Sequence, residues 1–445
     1  MKLWETSPSE SPSNIDEFLA GEDVKLDSQL LPYELCGSMA HVMGLEKIGI
    51  LTSDEVKQIR SQLSAMQDLE VEISPTDEDI HTFVENSLVA SLGEIGEKIH
   101  TGRSRNDQVL VDLRLFAKEY IQQIALHAGS LAQAFLTLAR NHEFTPMPGM
   151  THTRFAMPSS IGLWASSFSE SIQEAIVSIE SSYQLVDQSP LGSSAGYGVP
   201  LPLDREFVSN LLGFAKVQSN TLNATCSRPR IDFSVISSLA SIMYEIGRLS
   251  ADLIWGSSER FEFFSIQDEY CTGSSIMPNK QNPDVLEILR AKSAQYGGIC
   301  AQAFAVGQGQ ISGYHRDHQL LKPLLMGSLE TTLNSLRILT PLISSLEINE
   351  EKLNESMTSE LFAVDELIDQ VNSGDPLRQA YRNVKENLDS LKVPDINDSL
   401  HKRSHPGGTG NLALDSIGEQ LDIQNVIWSK RQDLFTSKLA KLLQQ

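Results

Sequence analysis

The densest run of chemically capable residues is GSSIMPNKQNPD, 273–284. Gly273, Ser274 and Ser275 give a mobile backbone carrying two hydroxyls, and Lys280, Asn282 and Pro283 follow before a new helix begins. Loops of this composition often close over a ligand. A serine is a poor base until backbone N–H groups and a nearby cation stabilise its alkoxide. Lys280 can supply that cation, although the same residues also suit an ordinary flexible linker. A second set is HTGRSRNDQV, 100–109, where Arg103, Ser104, Arg105 and Asn106 crowd just ahead of a long helix. Arginines beside a helix N-terminus form a natural carboxylate site; the alternative is N-capping by Asn106 or Asp107 with solvated arginines. In PGMTHTR, 148–154, Thr151 and His152 follow a Pro-Gly turn. Histidine is the usual acid or base near neutral pH, though a turn histidine is often plain surface. In SGYHRDHQLLK, 312–322, His315 and His318 lie three apart, but no H-E-x-x-H pattern or cysteine partner accompanies them, so no metal site is expected. Tyr314, Gln319 and Lys322 suit hydrogen bonding to an anionic ligand.

Long helices must position these loops. Five segments, roughly 107–140, 159–188, 231–264, 284–306 and 318–346, hold little proline. Each exceeds the ordinary helix of about 11–12 residues. Thr52 and Glu55 have capping-box spacing ahead of Val56, Ile59, Leu63 and Met66 on one face. Thr76 and Asp79 can cap a second helix carrying Ile80, Phe83, Val84 and Leu88, which Gly93 would end. Alternating strand patterns are scarce, so a parallel sheet is not expected. The spacing predicts an all-α chain, with a long central helical bundle at 104–350 flanked by smaller helical domains at 1–103 and 351–445. Apolar faces on more than one side of the central helices call for burial against other helices, a need that a bundle shared between subunits would meet.

Composition narrows the partners. The 445 residues include 58 Asp+Glu against 35 Lys+Arg, a net charge of -23. Such a chain repels nucleic acid and anionic membranes. The uncharged stretch 120–139 contains Gln122, Gln123, His127, Ser130, Gln133 and Thr137, which are costly in lipid, so a buried bundle helix is expected rather than a membrane span. Cys36, Cys226, Cys271 and Cys300 are scattered, without a C-x-x-C pair, as suits a reducing cytoplasm. MKLWETSPSE has no basic region followed by an apolar core, so no signal peptide is expected.

Together these motifs resemble the fumarase/aspartase superfamily, and within it the argininosuccinate lyase family, over nearly the whole chain. GSS-x-MP-x-K-x-NPD is similar to the superfamily's mobile loop, and HTGRSRNDQV, DEDIH at 77–81 and PLGSSAGYG at 190–198 are similar to the argininosuccinate lyase pattern. LPYELCGSMAH at 31–41 and the region near 361–382 match more loosely. The resemblance implies Ser274 as the proton-abstracting base and His152 as an aid to proton transfer, oriented by Glu287. It implies Lys280 and Asn282 as holders of the succinyl carboxylates. Arg105, Asn106, Thr151, Arg228, Tyr314, Gln319 and Lys322 fall where the family meets substrate. It further implies β-elimination of argininosuccinate to arginine and fumarate in arginine biosynthesis, without a cofactor or metal, in a cytoplasmic homotetramer whose active sites are shared between chains.

Several positions depart from the family pattern. The family's T-H-L-Q-x-A-x-P reads THTRFAMP, so Arg154 replaces a glutamine. W-G-G-R-F is reduced to LWETS at 3–7, the serine of F-N-A-S becomes Gly21, and Y-N-K-D-x-Q-E-D-K becomes YHRDHQLLK. These bear on substrate contacts more than on elimination chemistry. Rival readings are another superfamily enzyme, such as adenylosuccinate lyase, aspartase or fumarase, and a non-catalytic protein resembling the lens crystallins.

Overall fold

The computed structural model describes residues 18–19, 21–71, 73 and 79–444. After a short helix at Asp23–Asp27 come α1 (Leu31–Lys47), α2 (Ser53–Ala65) and α3 (Ile80–Leu92). The Thr52–Glu55 capping box forms, and Val56, Ile59, Leu63 and Met66 are buried. Asp79 caps α3 by accepting from the Thr82 N–H at 2.8 Å, and Gly93 ends it with φ 58°. Thr76 and residues 77–78 of the DEDIH pattern lie outside the described residues, as does LWETS.

The central bundle comprises α4 (Arg105–Asn141), α5 (Ile161–Val186), α6 (Arg228–Gly256), α7 (Asp284–Val306) and α8 (Leu321–Ser344). α4 packs against α5, α8 and α1, while α6 packs against α5, α7 and α8. Leu110 through Lys118 are all buried, so α4 is enclosed on every side over that stretch. This is the helix that carries the uncharged 120–139 run, and no helix among the described residues is long and apolar enough to cross a membrane. The all-α expectation holds, since among the described residues strands occur only as two-stranded ladders. Two of these carry candidate site loops: β1 (Pro146–Thr151) with β2 (Arg154–Ser160), and β3 (Thr272–Gly273) with β4 (Gln281–Asn282).

After the bundle, α9 (Ala363–Asn372), α10 (Leu377–Glu386) and α11 (Ile396–Lys402) accompany a small cluster of Met357, Leu361 and Phe362, separate from the main core. The last helix, α12 (Leu414–Gln444), returns along α4. Gly129 permits that approach, because a Cβ there would lie 2.0 Å from the Asn425 side-chain oxygen. α7 is the exception to bundle burial. Only Leu286, Leu289, Tyr296 and Ala303 are buried, and its open side presents Ala291, Ala294, Gly297, Gly298 and Ala301, with Ile288 and Phe304 more than half exposed.

Candidate active site

A cavity of about 200 Å³ lies where α4, α6 and the start of α8 meet the N-terminus of α3. Arg105, Asn106, Arg228, Tyr314, Gln319 and Lys322 all line it, together with Asp27, Asp79, His81, Val109 and Arg316. These residues come from five separate stretches of sequence.

The N-terminus of α4 is set by Ser104, whose side chain accepts from the Asn106 N–H, with Asp107 reciprocating toward the Ser104 N–H at 2.9 Å. Capping by Asn106 or Asp107 is therefore corrected: Ser104 is the cap, which leaves the Asn106 side chain for the cavity. The second Asp107 oxygen accepts from Gly192 N–H at 3.0 Å and Ser194 N–H at 2.8 Å, fastening the PLGSSAGYG loop to the same helix end. Arg105 pairs with Asp79 and donates to the Thr82 hydroxyl at 2.6 Å. Lys322 donates to Asp27 at 2.5 Å, with both side chains almost fully buried, and the other Asp27 oxygen accepts from Ile80 N–H at 3.2 Å.

Beneath the cavity lies a buried ionic group. His81 Nδ1 is 2.8 Å from Glu34 and 3.7 Å from Asp112. Burial works against the charge on His81, yet Glu34 beside it raises its pKa above the ordinary value. Burial likewise opposes ionisation of Glu34, but His81 and Arg103 bring it down to about 2. Asp112 moves the other way, lifted well above the usual carboxylate range by burial and by Glu34. Asp79, at the rim, is opposed by burial but held below its ordinary value by His81 and Arg105. The lining thus combines arginine and lysine cations with amide and phenol donors, a chemistry suited to a polycarboxylate.

The remaining sequence-selected residues stand apart from this cavity in the single chain. β3 and β4 hold the ends of the 273–282 loop together, and Gln281 donates to Asp268 at 2.8 Å. Within the loop the Ser274 hydroxyl oxygen accepts from Met277 N–H at 3.1 Å and Ile276 N–H at 3.4 Å. That is the backbone arrangement an alkoxide requires. Lys280 is exposed, Asn282 is half-buried in β4, and Glu287 is exposed on the first turn of α7. Thr151 and His152 are exposed at the β1–β2 turn, with Arg154 opposite Thr151. Among the described residues no hydrogen bond or ion pair joins Glu287 to His152. His315 and His318 do not converge on a common point: His315 Nε2 faces the Ile311 carbonyl at 2.9 Å and His318 Nε2 faces Gln310 at 2.8 Å.

The His152–Thr153 turn runs against local preference. Both residues have positive φ, 53° and 58°, in a two-residue hairpin turn that ordinarily takes Asn and Gly. A β-branched residue there is strained. We expect Thr153→Gly to stabilise the protein by about 1 kcal/mol, since αL strain of that order is relieved. Thermal unfolding would check it, and a lowered midpoint would show that the turn is not strained.

Asp27, Asp79, His81 and Arg316 were not singled out from sequence as site residues. Asp79 and His81 fall within the DEDIH pattern, which was the available signal. Asp27 had none, since its partner is 295 positions away. Arg316 and Gln319 donate to the Leu19 carbonyl at 3.2 and 2.8 Å, so the N-terminal stretch borders the cavity. Gly21 lies there too, where a Cβ would sit 3.8 Å from the Gln319 amide.

Comparison with known proteins fits this architecture. The sequence family described as Lyase matches residues 11–298, and the chain belongs to it. Its curated relatives include argininosuccinate lyases. That of Sorangium cellulosum is 38% identical over 95% of this chain and 99% of the relative. That of Thermotoga neapolitana is 38% identical over 86% and 98% respectively. Among solved structures, EDDS lyase in complex with formate superposes with TM-score 0.83 at 20% identity, covering 99% of this chain and 96% of the other. Class II fumarase from Schistosoma mansoni gives 0.71 at 16%, covering 90% and 96%. At those identities the structures speak for the fold alone.

Proposed function

We propose that the protein catalyses β-elimination of argininosuccinate to arginine and fumarate, as a step of arginine biosynthesis. The observation that carries this reading is the single cavity gathering Arg105, Asn106, Arg228, Tyr314, Gln319 and Lys322. Near-full-length similarity to argininosuccinate lyases supports it.

In this mechanism the Ser274 alkoxide takes a proton from the succinyl carbon next to a carboxylate. The electron pair left behind spreads into that carboxylate, giving a dianion that Lys280, Asn282 and loop N–H groups stabilise. One well-placed donor is worth about 2.7–4 kcal/mol in such a site. The pair then forms the fumarate double bond as the carbon–nitrogen bond breaks, and the departing guanidino nitrogen takes up a proton. His152, oriented by Glu287, assists these transfers, and Thr151 contacts substrate. The chemistry calls for no electron sink, so no cofactor or metal is assigned a role.

Within one chain the base loop and the histidine turn do not join the cavity. We therefore assign the protein a homotetramer in which loops of other subunits complete each site. The open side of α7 supports this, since small residues let helices of neighbouring copies approach closely and cover Ile288 and Phe304. Four unpaired cysteines support a reducing, cytoplasmic setting. The test is turnover of argininosuccinate by purified protein with a chelator present, followed by fumarate absorbance. Activity on adenylosuccinate alone would reject the substrate assignment.

A further inference from the structure

Arg228 is held against several local preferences. It is the first residue of α6, directly after the short helix Thr221–Cys226. Its side chain is 3% exposed, and its Nε and Nη2 are buried without a hydrogen-bond partner. Among the described residues its ion pair is with Asp232, one turn along the same helix, at 3.6 Å from Nε. Arg114 of α4 is buried beside that same carboxylate, with its Nη2 also unpartnered. Two guanidinium groups therefore share one carboxylate in the interior. His318 does not change this balance, because burial and the neighbouring Arg228 push its imidazole down to about 4, leaving it neutral. A buried positive charge short of its counter-charge is costly unless something supplies it. Arg228 lines the cavity, so a ligand carboxylate can make good the deficit, whereas Asp232 lies behind it and lines a separate small void with Arg114.

We infer that Asp232 is a positioning residue for substrate binding: it fixes the Arg228 guanidinium from the wall side, in the orientation that receives one ligand carboxylate. This rests on the cavity being the argininosuccinate site. Burial raises the Asp232 carboxyl to about 6 even against the opposing pull of Arg228 and Arg114, so at mildly alkaline pH it is ionised.

Position and simple charge predict opposite signs. Asp232→Asn removes a negative charge near an anion site, so electrostatics alone would leave KM unchanged or lower it. Loss of positioning instead raises KM for argininosuccinate by about ten-fold, with kcat within about two-fold, an ordinary coupling for contacting charges. Asp232→Glu keeps the charge but displaces it, and should raise KM by a smaller factor; it serves if the asparagine variant does not fold. In an Arg228→Lys background, Asp232→Asn should add less than about two-fold, because the group it positions is gone. Steady-state kinetics at mildly alkaline pH, with thermal unfolding and oligomer mass confirming each variant's fold, decides the matter. An unchanged or lowered KM in a folded variant overturns the inference, as does an undiminished effect in the Arg228→Lys background. A wild-type protein inactive on argininosuccinate overturns the functional reading, and this inference with it, before any variant is compared.

Discussion

Ser274→Ala is expected to lower kcat by roughly a hundred- to ten-thousand-fold, the usual contribution of a positioned proton-transfer group. The oligomer and its thermal midpoint should be unchanged, because Ser274 is not part of the buried core. The argument rests on two N–H groups, from Ile276 and Met277, that already point at its oxygen. Such groups lower the cost of an oxyanion, and in the proposed mechanism Lys280 adds a cation. No hydrogen bond of that kind reaches the Ser275 hydroxyl among the described residues, so Ser275→Ala should keep most of the turnover. Fumarate formation by the two variants, measured side by side with their oligomer mass, distinguishes the serines. Full turnover by Ser274→Ala would remove it from the role of base.

Lys322→Met is expected to destabilise the protein by about 3–5 kcal/mol, the usual result of stripping one partner from a buried pair. Lys322 and Asp27 are 3% and 1% exposed, and the Asp27 carboxylate would remain in the interior without its cation. Asp27 also accepts from the Ile80 N–H, so the loss should spread to the start of α3 and to His81 beside it. The double variant Asp27→Asn/Lys322→Met removes both charges and should recover most of the stability, to within about 1–2 kcal/mol, since a buried pair replaced as a whole is often nearly neutral. Denaturant unfolding without ligand measures this apart from catalysis. A single variant as stable as the double one would show that the pair does not behave as a buried ion pair.

Local rules made much of the fold legible. The Thr52–Glu55 box, the Asp79 cap and the Gly93 stop depend only on neighbours three to thirteen residues apart, and all form. Ser104 was mistaken for part of a charged cluster, because Asn106 and Asp107 are equally good caps by type. The choice fell to Ser104 once Asp107 was claimed by Gly192 and Ser194. The cavity was legible only on one side. Its arginines, tyrosine and amides sit in recognisable motifs, whereas Asp27 owes its place to Lys322 and Glu34 owes its low pKa to His81 and Arg103, partners 47 to 295 positions away. Such charges are fixed by packing, which periodicity does not encode. The strain at His152 and Thr153 was also invisible in sequence, since backbone conformation there opposes residue preference rather than following it.

The Asp107 carboxylate has a mechanical consequence. It is wholly buried and serves as acceptor for three amides, those of Ser104, Gly192 and Ser194. Because Asp107 and Ser104 sit on the same helix end, displacing that end strands the Gly192 and Ser194 donors as well, so the loop cannot keep its protection without the helix end. Solvent exchange at the Gly192 and Ser194 amides should accordingly be at least as fast as opening of the α4 N-terminus, which makes that helix end a latch on which the loop hangs.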